Sequence, residues 1–398
     1  MPNMANDIGR QLSQPSPILV ADPAADVYRY HEDILTAVDR VLRSGRYILG
    51  KEVEAFECEW ARYLGARYCV GVASGTDALA LALKAVGVHA GDEVVTVSHT
   101  AVATVAAIEA IGARPVFVDI APSSRCMDPS LLDAAISSCT RAIVPVHVYG
   151  QPADMESILA VARQHDLQVV EDCAQAHGAE IAGRKVGTFG IAAAFSFYPT
   201  KNLGAVGDAG AVVCNDGVVA AQVRSLRQYG WRERYVSDVV GTNSRLDELQ
   251  AAILRVKLKD LDRRNQMRRT IAARYRKALA STGVVSPSDI PGTTHAMHLF
   301  VVESLARDGF AEFLLEAGVT TALHYPMPIH LQPAYVNRIT GADRLPVTER
   351  LYKRLLTIPC HSDLTAEQVE RICGRLRAWP EPLPSSKQPS RLSVQGIS

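Results

Sequence analysis

The sequence predicts an α/β protein with a mostly parallel central sheet, followed by a smaller α+β domain. Across about residues 50–270, apolar runs of strand length alternate with apolar patterns of helix length. This alternation is typical of parallel strands joined by helices. Most of the strand-length runs are continuously apolar, as expected of strands that helices cover on both faces of the sheet.

The chain opens with an N-terminal segment, residues 1–49, that contains one amphipathic helix. Apolar residues recur at helical spacing from Glu32 to Arg43, and Gly45 follows at the position where a helix end favours glycine. The large domain then spans residues 50–270, and we expect it to contain the central sheet.

The large domain contains alternating strands and helices. Its predicted strands are Glu93–Val97, Pro115–Asp119, Ala142–His147, Gln168–Asp172, Ala192–Phe197 and Gly210–Cys214. Its predicted helices are Thr76–Ala85, Thr100–Ile111, Pro129–Ile136 and Met155–His165. The alternation implies helices on both sides of the sheet.

A small C-terminal domain, residues 271–379, follows a long helical pattern from Arg245 to about Leu279. Its predicted strands and helices are Met297–Glu303, Gly309–Glu316, Thr320–His324 and Ala366–Trp379, of which the first and third are strands. Residues 380–398 are rich in Pro and Ser, which predicts a disordered tail.

Composition and charge argue against several functional classes. The 42 basic residues cancel the 42 acidic ones, which predicts no binding to nucleic acid or to an anionic membrane. No run approaches the roughly 18 apolar residues of a membrane-spanning helix, and the opening MPNMANDIGRQ lacks the apolar core of a signal peptide. We therefore expect a cytoplasmic protein with reduced cysteines.

Common cofactor and metal motifs are incomplete or missing. The segment Gly45–Lys51 fits GxxxxGK, but Glu52 stands where a phosphate loop needs Ser or Thr. No GxGxxG follows a predicted strand, and HExxH and clustered Cys/His spacings are missing as well. The sequence therefore predicts neither a P-loop nor a metal centre.

Two segments of the large domain suit the binding of an anionic cofactor. The turn Ser74–Thr76 opens directly into a helix, whose free N–H groups and positive dipole end favour phosphate, although an ordinary N-cap explains the same residues. Glu171 and Asp172 end a buried strand, at the sheet edge where ligands of α/β proteins bind. Strand alternation directs one of these carboxylates into the crevice, unless it caps the next turn.

A lysine provides the third element. Lys201 lies in a turn that contains Gly204 and Gly207, between two apolar strands. Apolar surroundings make the amine lose its proton more easily, as a lysine that forms a Schiff base requires, whereas the alternative is an exposed loop lysine. A phosphate site, a strand-end acid and a lysine together are what pyridoxal phosphate needs.

The order and spacing of SGTDAL, EDCAQAHGA and SFYPTKNLG resemble the DegT/DnrJ/EryC1/StrS family of nucleotide-sugar aminotransferases. The resemblance extends from about Tyr28 to Trp379, with further matches at Gly45–Gly65, Asn243–Leu254 and His324–Gln332. It implies an aspartate-aminotransferase-like fold and pyridoxal 5'-phosphate as cofactor. It also implies amination of a keto group on a nucleotide-linked deoxysugar, with L-glutamate as donor.

The resemblance assigns roles to individual residues. Lys201 matches the lysine that forms the Schiff base, and Asp172 matches the partner of the pyridine nitrogen. The remaining implied cofactor contacts are Gly75, Thr76, Gln175 and Ser196 of the same chain, and Asn243 of a neighbouring subunit. The match at Asn243 implies a homodimer with shared active sites, in which Arg245 either assists or forms a structural ion pair.

Several histidines are candidates for secondary roles. His324 and His330 are candidates for the nucleotide-sugar site, and His177 is either a structural histidine or a catalytic one. The family commonly places an aromatic ring over the pyridine where this chain has Ala101, so His99 or a methyl contact would have to cover the ring. Ala209 is a second, smaller departure, in a position where glycine is frequent.

The substrate and the reaction class are also implied by resemblance. Val239–Asp262 and His147–Met155 resemble enzymes that act at C3 of a 6-deoxyhexose on dTDP, with C4 as the alternative. Ser244, in GTNSRL, stands where 4-aminotransferases more often have Tyr, which is expected to change the cavity wall. Sugar dehydratases of this fold replace the lysine by histidine, so Lys201 argues against that class. A non-catalytic regulator is the other alternative, and it would keep the fold and bind a sugar nucleotide.

Overall fold

The computed structural model describes residues 16–380, and it confirms the α/β class. The predicted disordered tail lies outside the described residues, apart from Pro380. The strands are β1 (Tyr68–Val72), β2 (Glu93–Val97), β3 (Arg114–Val118), β4 (Thr140–Ile143), β5 (Gln168–Asp172), β6 (Glu180–Ile181), β7 (Arg184–Lys185), β8 (Ala192–Ser196), β9 (Gly210–Cys214), β10 (Trp231–Glu233), β11 (Val236–Ser237), β12 (Thr293–Thr294), β13 (Phe300–Glu303) and β14 (Leu355–Ile358).

Helices separate most of these strands. They are α1 (Pro23–Arg29), α2 (His31–Ser44), α3 (Lys51–Leu64), α4 (Gly75–Ala85), α5 (Val102–Ala110), α6 (Leu132–Ala135), α7 (Met155–Gln164), α8 (Gly217–Leu226), α9 (Glu248–Leu258), α10 (Leu261–Leu279), α11 (Arg307–Glu316), α12 (Pro346–Tyr352) and α13 (Ala366–Arg377). The predicted stop of the opening helix is present, because Gly45 follows α2 with left-handed backbone angles that suit glycine.

The central sheet is mostly parallel. Its order is β1-β9-β8-β5-β4-β2-β3, in which β9 runs antiparallel to β1 and β8. The remaining neighbours pair in parallel. The carboxyl ends of β5 and β8 therefore lie side by side at one edge of the sheet, and the candidate site lies at this edge.

Helices bury both faces of this sheet. On one face, Leu79 and Leu83 of α4 pack in a common apolar cluster with Val170 of β5 and Val212 of β9. On the other face, the cluster contains Phe56 and Trp60 of α3, Phe195 of β8 and Leu254 of α9. Because both faces are apolar, the strand sequences read as continuous hydrophobic runs.

A second core lies near the C-terminus, where β13 pairs antiparallel with β14. Tyr275 of α10, Phe310 of α11 and Ile372 of α13 share one buried cluster with this ladder. The predicted domain boundary near residue 270 falls within α10, and the division into domains stays a prediction.

The structure corrects two predictions of secondary structure and adds one strand to the central sheet. The helix predicted from Arg245 to Leu279 is divided, because Asp260 between α9 and α10 has non-helical backbone angles and accepts hydrogen bonds from Tyr30 and Arg263. The strand predicted at Thr320–His324 is reduced to one bridge, between Ala322 and Thr357. β1 was not expected as a strand, since its small Gly71 weakens the apolar pattern.

No helix within residues 16–380 is long and apolar enough to span a membrane. All eight cysteines are free thiols, of which only Cys58 and Cys139 are exposed.

Candidate active site

A cavity of about 230 Å³ lies at the carboxyl edge of the central sheet. The predicted site residues that line it are Gly75, Thr76, Asp172, Gln175, Ser196 and Lys201. The structure therefore brings together six residues that are separated by up to 126 positions in the sequence (201 − 75). Tyr198 and Asp208, which sequence reasoning did not single out, also line the cavity.

The start of α4 forms one wall of the cavity. Ser74 caps the helix, since its Oγ accepts a hydrogen bond of 3.1 Å from the Asp77 N–H. A Cβ atom on Gly75 would lie 2.5 Å from Cβ of Ser196, and one on Gly210 would lie 2.2 Å from the Ser74 carbonyl oxygen. The close approach of these segments requires glycine, and it leaves the positive helix end facing a space suited to phosphate.

The two strand-end carboxylates have separate environments. Asp172 lines the cavity, where its Oδ2 accepts a hydrogen bond of 2.8 Å from Thr104 Oγ1 and its Oδ1 accepts one of 3.1 Å from the Ala174 N–H. Glu171 is fully buried and does not line the cavity. The structure thus places Asp172, and not Glu171, toward the crevice.

Glu171 holds the loop that precedes β8. Its carboxylate accepts hydrogen bonds from His147 Nε2 and from the N–H groups of Gly187, Phe189 and Gly190. Burial raises the pKa of Glu171, but the hydrogen bonds from His147 and the backbone outweigh it, so the net pKa is lowered. The acid at position 171 therefore has a structural use.

Lys201 lies in the turn after β8. Burial lowers the pKa of its amine to about 8, against the opposing attraction of the Asp172 charge. The turn is fixed by the residues that follow the lysine. Asn202 Nδ2 donates hydrogen bonds of 2.8 Å to Asn265 Oδ1 and to the Ala296 carbonyl, and Lys257 donates to the Gly204 carbonyl. The amine is thus held in a rigid turn and is partly neutral near physiological pH.

The orientation of the Gln175 amide follows from its neighbours. The Tyr149 N–H donates a hydrogen bond of 2.6 Å to it, so the amide oxygen faces Tyr149. The amide nitrogen then donates to the hydroxyl of Tyr325 at 2.8 Å. Tyr149 adopts a φ of 60°, which favours glycine, so this contact is made at some cost in backbone strain.

The three candidate histidines differ in their positions. His324 binds Thr357 Oγ1 at 2.9 Å, and its pKa is lowered to about 4 by burial and by the nearby Lys201 charge. His330 contacts Ser98 Oγ at 2.8 Å and does not line the cavity. His177 packs against Trp60 and has a pKa lowered to about 3 by burial, which keeps it neutral. The charge of Lys201 acts on both His324 and His177, and none of the three histidines lines the cavity.

The segment that contains Asn243 lies outside the cavity of its own chain. Asn243 is exposed and pairs with Gln228, and Arg245 is half-buried. Ser244, between them, is buried and does not form a cavity wall, contrary to expectation. Its hydroxyl donates to Asp77 at 2.6 Å and accepts from the Ala73 N–H at 3.1 Å, so it ties this segment to the start of α4.

Ala101 lines the cavity at the start of α5. His99 does not, because its ring is fully buried against Tyr149 and Tyr352. Of the two residues considered for covering the pyridine ring, only Ala101 is therefore in a position to do so, through its methyl group.

The residues of this cavity fit pyridoxal phosphate. A helix N-terminus, narrowed by glycine, suits the phosphate, and a carboxylate that faces the cavity suits the pyridine nitrogen. Lys201, with a pKa lowered to about 8, suits an aldehyde. The helix N-terminus, the carboxylate and the amine thus match the phosphate, the ring nitrogen and the aldehyde of the cofactor.

Comparison with known proteins supports this fit. Residues 29–377 match the sequence model of the DegT/DnrJ/EryC1/StrS aminotransferase family. The dTDP-3-amino-3,4,6-trideoxy-alpha-D-glucose transaminase of Streptomyces venezuelae is 44% identical over 90% of this chain and 96% of its own. The erythromycin biosynthesis sensory transduction protein EryC1 of Saccharopolyspora erythraea is 47% identical over 90% of this chain and 98% of its own.

Solved structures are similar as well. DesV of Streptomyces venezuelae, crystallised with a ketimine intermediate, has a TM-score of 0.90 and 43% identity, covering 93% of this chain and all of its own. Structures of more distant relatives hold pyridoxal phosphate or its amine form, PMP.

Proposed function

The chain belongs to the DegT/DnrJ/EryC1/StrS aminotransferase family, and from this premise we propose that it aminates a keto group at C3 of a 6-deoxyhexose carried on dTDP. It is a sugar aminotransferase, and its cofactor is pyridoxal phosphate. The observation that carries the proposal is the meeting of Lys201, Asp172 and the α4 N-terminus in one cavity.

When bound, the cofactor supplies an aldehyde that accepts the amino group and a ring that accepts electrons. In our proposal Asp172 pairs with the ring nitrogen, while Gly75, Thr76 and Ser196 bind the phosphate. Gln175 donates one N–H to the Tyr325 hydroxyl and has a second N–H for the cofactor, because its oxygen is engaged by Tyr149. Lys201, once its amine is free, accepts and returns the substrate proton, and the lowered pKa makes the neutral base available.

The C3 position is proposed from the relatives. Two of them, from Streptomyces venezuelae and Micromonospora megalomicea, are dTDP-3-amino-3,4,6-trideoxy-alpha-D-glucose transaminases at 44% and 47% identity. A third, from Aneurinibacillus thermoaerophilus, is a dTDP-3-amino-3,6-dideoxy-alpha-D-galactopyranose transaminase at 45% identity. These names agree in the nucleotide and in the position of the nitrogen.

Offering the two keto sugars separately tests this proposal. With L-glutamate as donor, we expect rapid amination of dTDP-3-keto-6-deoxyglucose and little of the 4-keto isomer. Mass spectrometry measures the product, and NMR locates its nitrogen. Amination of the 4-keto compound alone would refute the C3 assignment and leave the aminotransferase class intact.

A regulatory role is a second candidate, because the 47% identical EryC1 is described as a sensory transduction protein. A regulator needs no reactive amine, whereas Lys201 lies in a rigid turn with a lowered pKa. Absorbance at the edge of the visible range, bleached by borohydride, together with turnover of a keto sugar, would favour the enzyme. Sugar binding without any turnover would favour the regulator.

We also propose that glutamate is the donor and that the protein is a cytoplasmic homodimer. The dimer is supported by Asn243, which is exposed and lies outside its own cavity. In a dimer with shared sites, the side-chain amide of Asn243 would contact the phosphate of the cofactor that is bound in the partner's site.

Mixing two inactive variants tests the shared sites. We expect Lys201→Ala and Asn243→Ala to be nearly inactive alone, since each removes one part of every site. Refolded together, random pairing gives heterodimers with one intact site, so activity should return to about one quarter of the wild-type value. A fully active wild-type monomer in sedimentation experiments, or no recovery on mixing, would refute the shared sites.

A further inference from the structure

We propose that Thr104 is a positioning residue of this active site, whose hydroxyl, oriented by Thr100, fixes the carboxylate of Asp172 toward the bound cofactor. This inference rests on the proposed function, because it concerns the same cavity. Thr104 belongs to none of the motifs that identified the site, and it lies within the apolar pattern that predicts α5.

The hydrogen bonds of Asp172 divide evenly between its two oxygens. Thr104 Oγ1 lies 2.8 Å from Oδ2, and the Ala174 N–H lies 3.1 Å from Oδ1. Ala174 is attached to the same strand end as Asp172, whereas Thr104 comes from a different element, the first turn of α5. Two donors on opposite oxygens prevent the carboxylate from rotating, so its free lone pairs keep one direction.

The direction of the hydrogen bonds follows from chemistry. A carboxylate only accepts, so the single hydroxyl hydrogen of Thr104 points at Asp172. The 2.8 Å contact between Thr104 Oγ1 and Thr100 Oγ1 must then have Thr100 as donor. The three side chains thus form one directed chain, from Thr100 through Thr104 to Asp172. Each bond in such a chain polarises and strengthens the next.

The surroundings make this chain rigid. Thr100, Thr104 and Asp172 are all buried, yet each lines the cavity. The Thr104 N–H also donates to the Ala101 carbonyl at 3.1 Å, so the hydroxyl is anchored to the start of α5. Ala101 lines the cavity too, so the short segment from Ala101 to Thr104 both forms part of the cavity wall and holds the Asp172 carboxylate.

Thr96 provides a matched control. It is fully buried in β2, and its hydroxyl donates to the Val144 carbonyl at 3.0 Å. Replacement by valine removes one buried hydroxyl at either position, with one hydrogen bond lost at Thr96 and two lost at Thr104. Only Thr104 acts on a carboxylate that faces the cavity, so effects on chemistry should be limited to it.

The test compares Thr104→Val, Thr104→Ser and Thr96→Val in the loaded enzyme and after removal of the cofactor. A hydrogen bond to a charged group is worth about a factor of 10, so Thr104→Val should lower kcat and the affinity for pyridoxal phosphate about 10-fold each. We expect KM for the amino donor to stay nearly constant and Thr104→Ser to restore both values. Thr96→Val should lower only Tm.

Three outcomes would overturn the inference. Thr104→Val could match Thr96→Val in both kcat and cofactor affinity, or Thr104→Ser could fail to restore them, in which case the methyl group matters and not the hydroxyl. If the valine variant does not fold, Thr104→Ala removes the same hydroxyl without adding bulk, and wild-type values there would also refute the role. Failure of the wild-type protein to bind pyridoxal phosphate would instead refute the proposed function.

Discussion

Lys201→Ala is expected to abolish turnover while leaving the fold intact. The change removes the amine that would bond covalently to the cofactor and later move the substrate proton, and general acid–base catalysis alone contributes about 10²–10⁴-fold. We therefore expect kcat/KM to fall by about 1,000-fold or more. The measurements are turnover of the keto sugar, and mass spectrometry of the protein after borohydride treatment, which should show no attached cofactor.

Lys185→Ala is the matched control for this variant. Lys185 is also a partly buried lysine, but it pairs with Glu180 at 2.9 Å and does not line the cavity. We expect it to keep wild-type turnover and to be labelled by borohydride as the wild type is. If Lys201→Ala still turns over substrate and carries reducible cofactor, the covalent role belongs to another lysine.

Much of the fold was predictable because burial on both faces is visible in the sequence. Glu93–Val97, Gln168–Asp172 and Gly210–Cys214 have the predicted bounds, since each is a short apolar run between turn residues. The division between α9 and α10 was not predictable from periodicity. It depends on contacts of Asp260 with Tyr30, a residue 230 positions away.

The site was predictable to the extent that its residues carry distinctive chemistry. Lys201, Asp172 and the turn at Gly75 each follow a strand or open a helix, so the rule that ligands bind at strand ends brings them together. Thr104 gave no such signal, because a threonine in a helix is common, and the sequence wrongly placed Ser244 in the cavity wall. Their importance lies in partners distant in sequence, Asp172 and Asp77.

Asp172→Asn is expected to keep the cofactor bound and to slow turnover by about 100-fold or more, within the range found when a preorganised electrostatic partner is removed. The Ala174 N–H would still meet the amide oxygen, and Thr104 can turn to accept from the new NH₂ group, so the side chain should keep its place. An uncharged amide, however, no longer favours the protonated ring nitrogen. Steady-state kinetics measure the loss, and the absorption spectrum measures cofactor content.

Glu171→Gln separates this effect from a general loss of stability. Glu171 accepts hydrogen bonds from His147 and three backbone N–H groups. Glutamine would place its NH₂ group against some of these donors, and the hydrogen bonds on that side would be lost. We expect this variant to unfold at a lower temperature but to retain much of its kcat when folded. Unchanged kinetics in Asp172→Asn combined with a collapse of kcat in Glu171→Gln would mean that Glu171 is the partner of the cofactor. In that case the orientation of Asp172 toward the cavity would need another explanation.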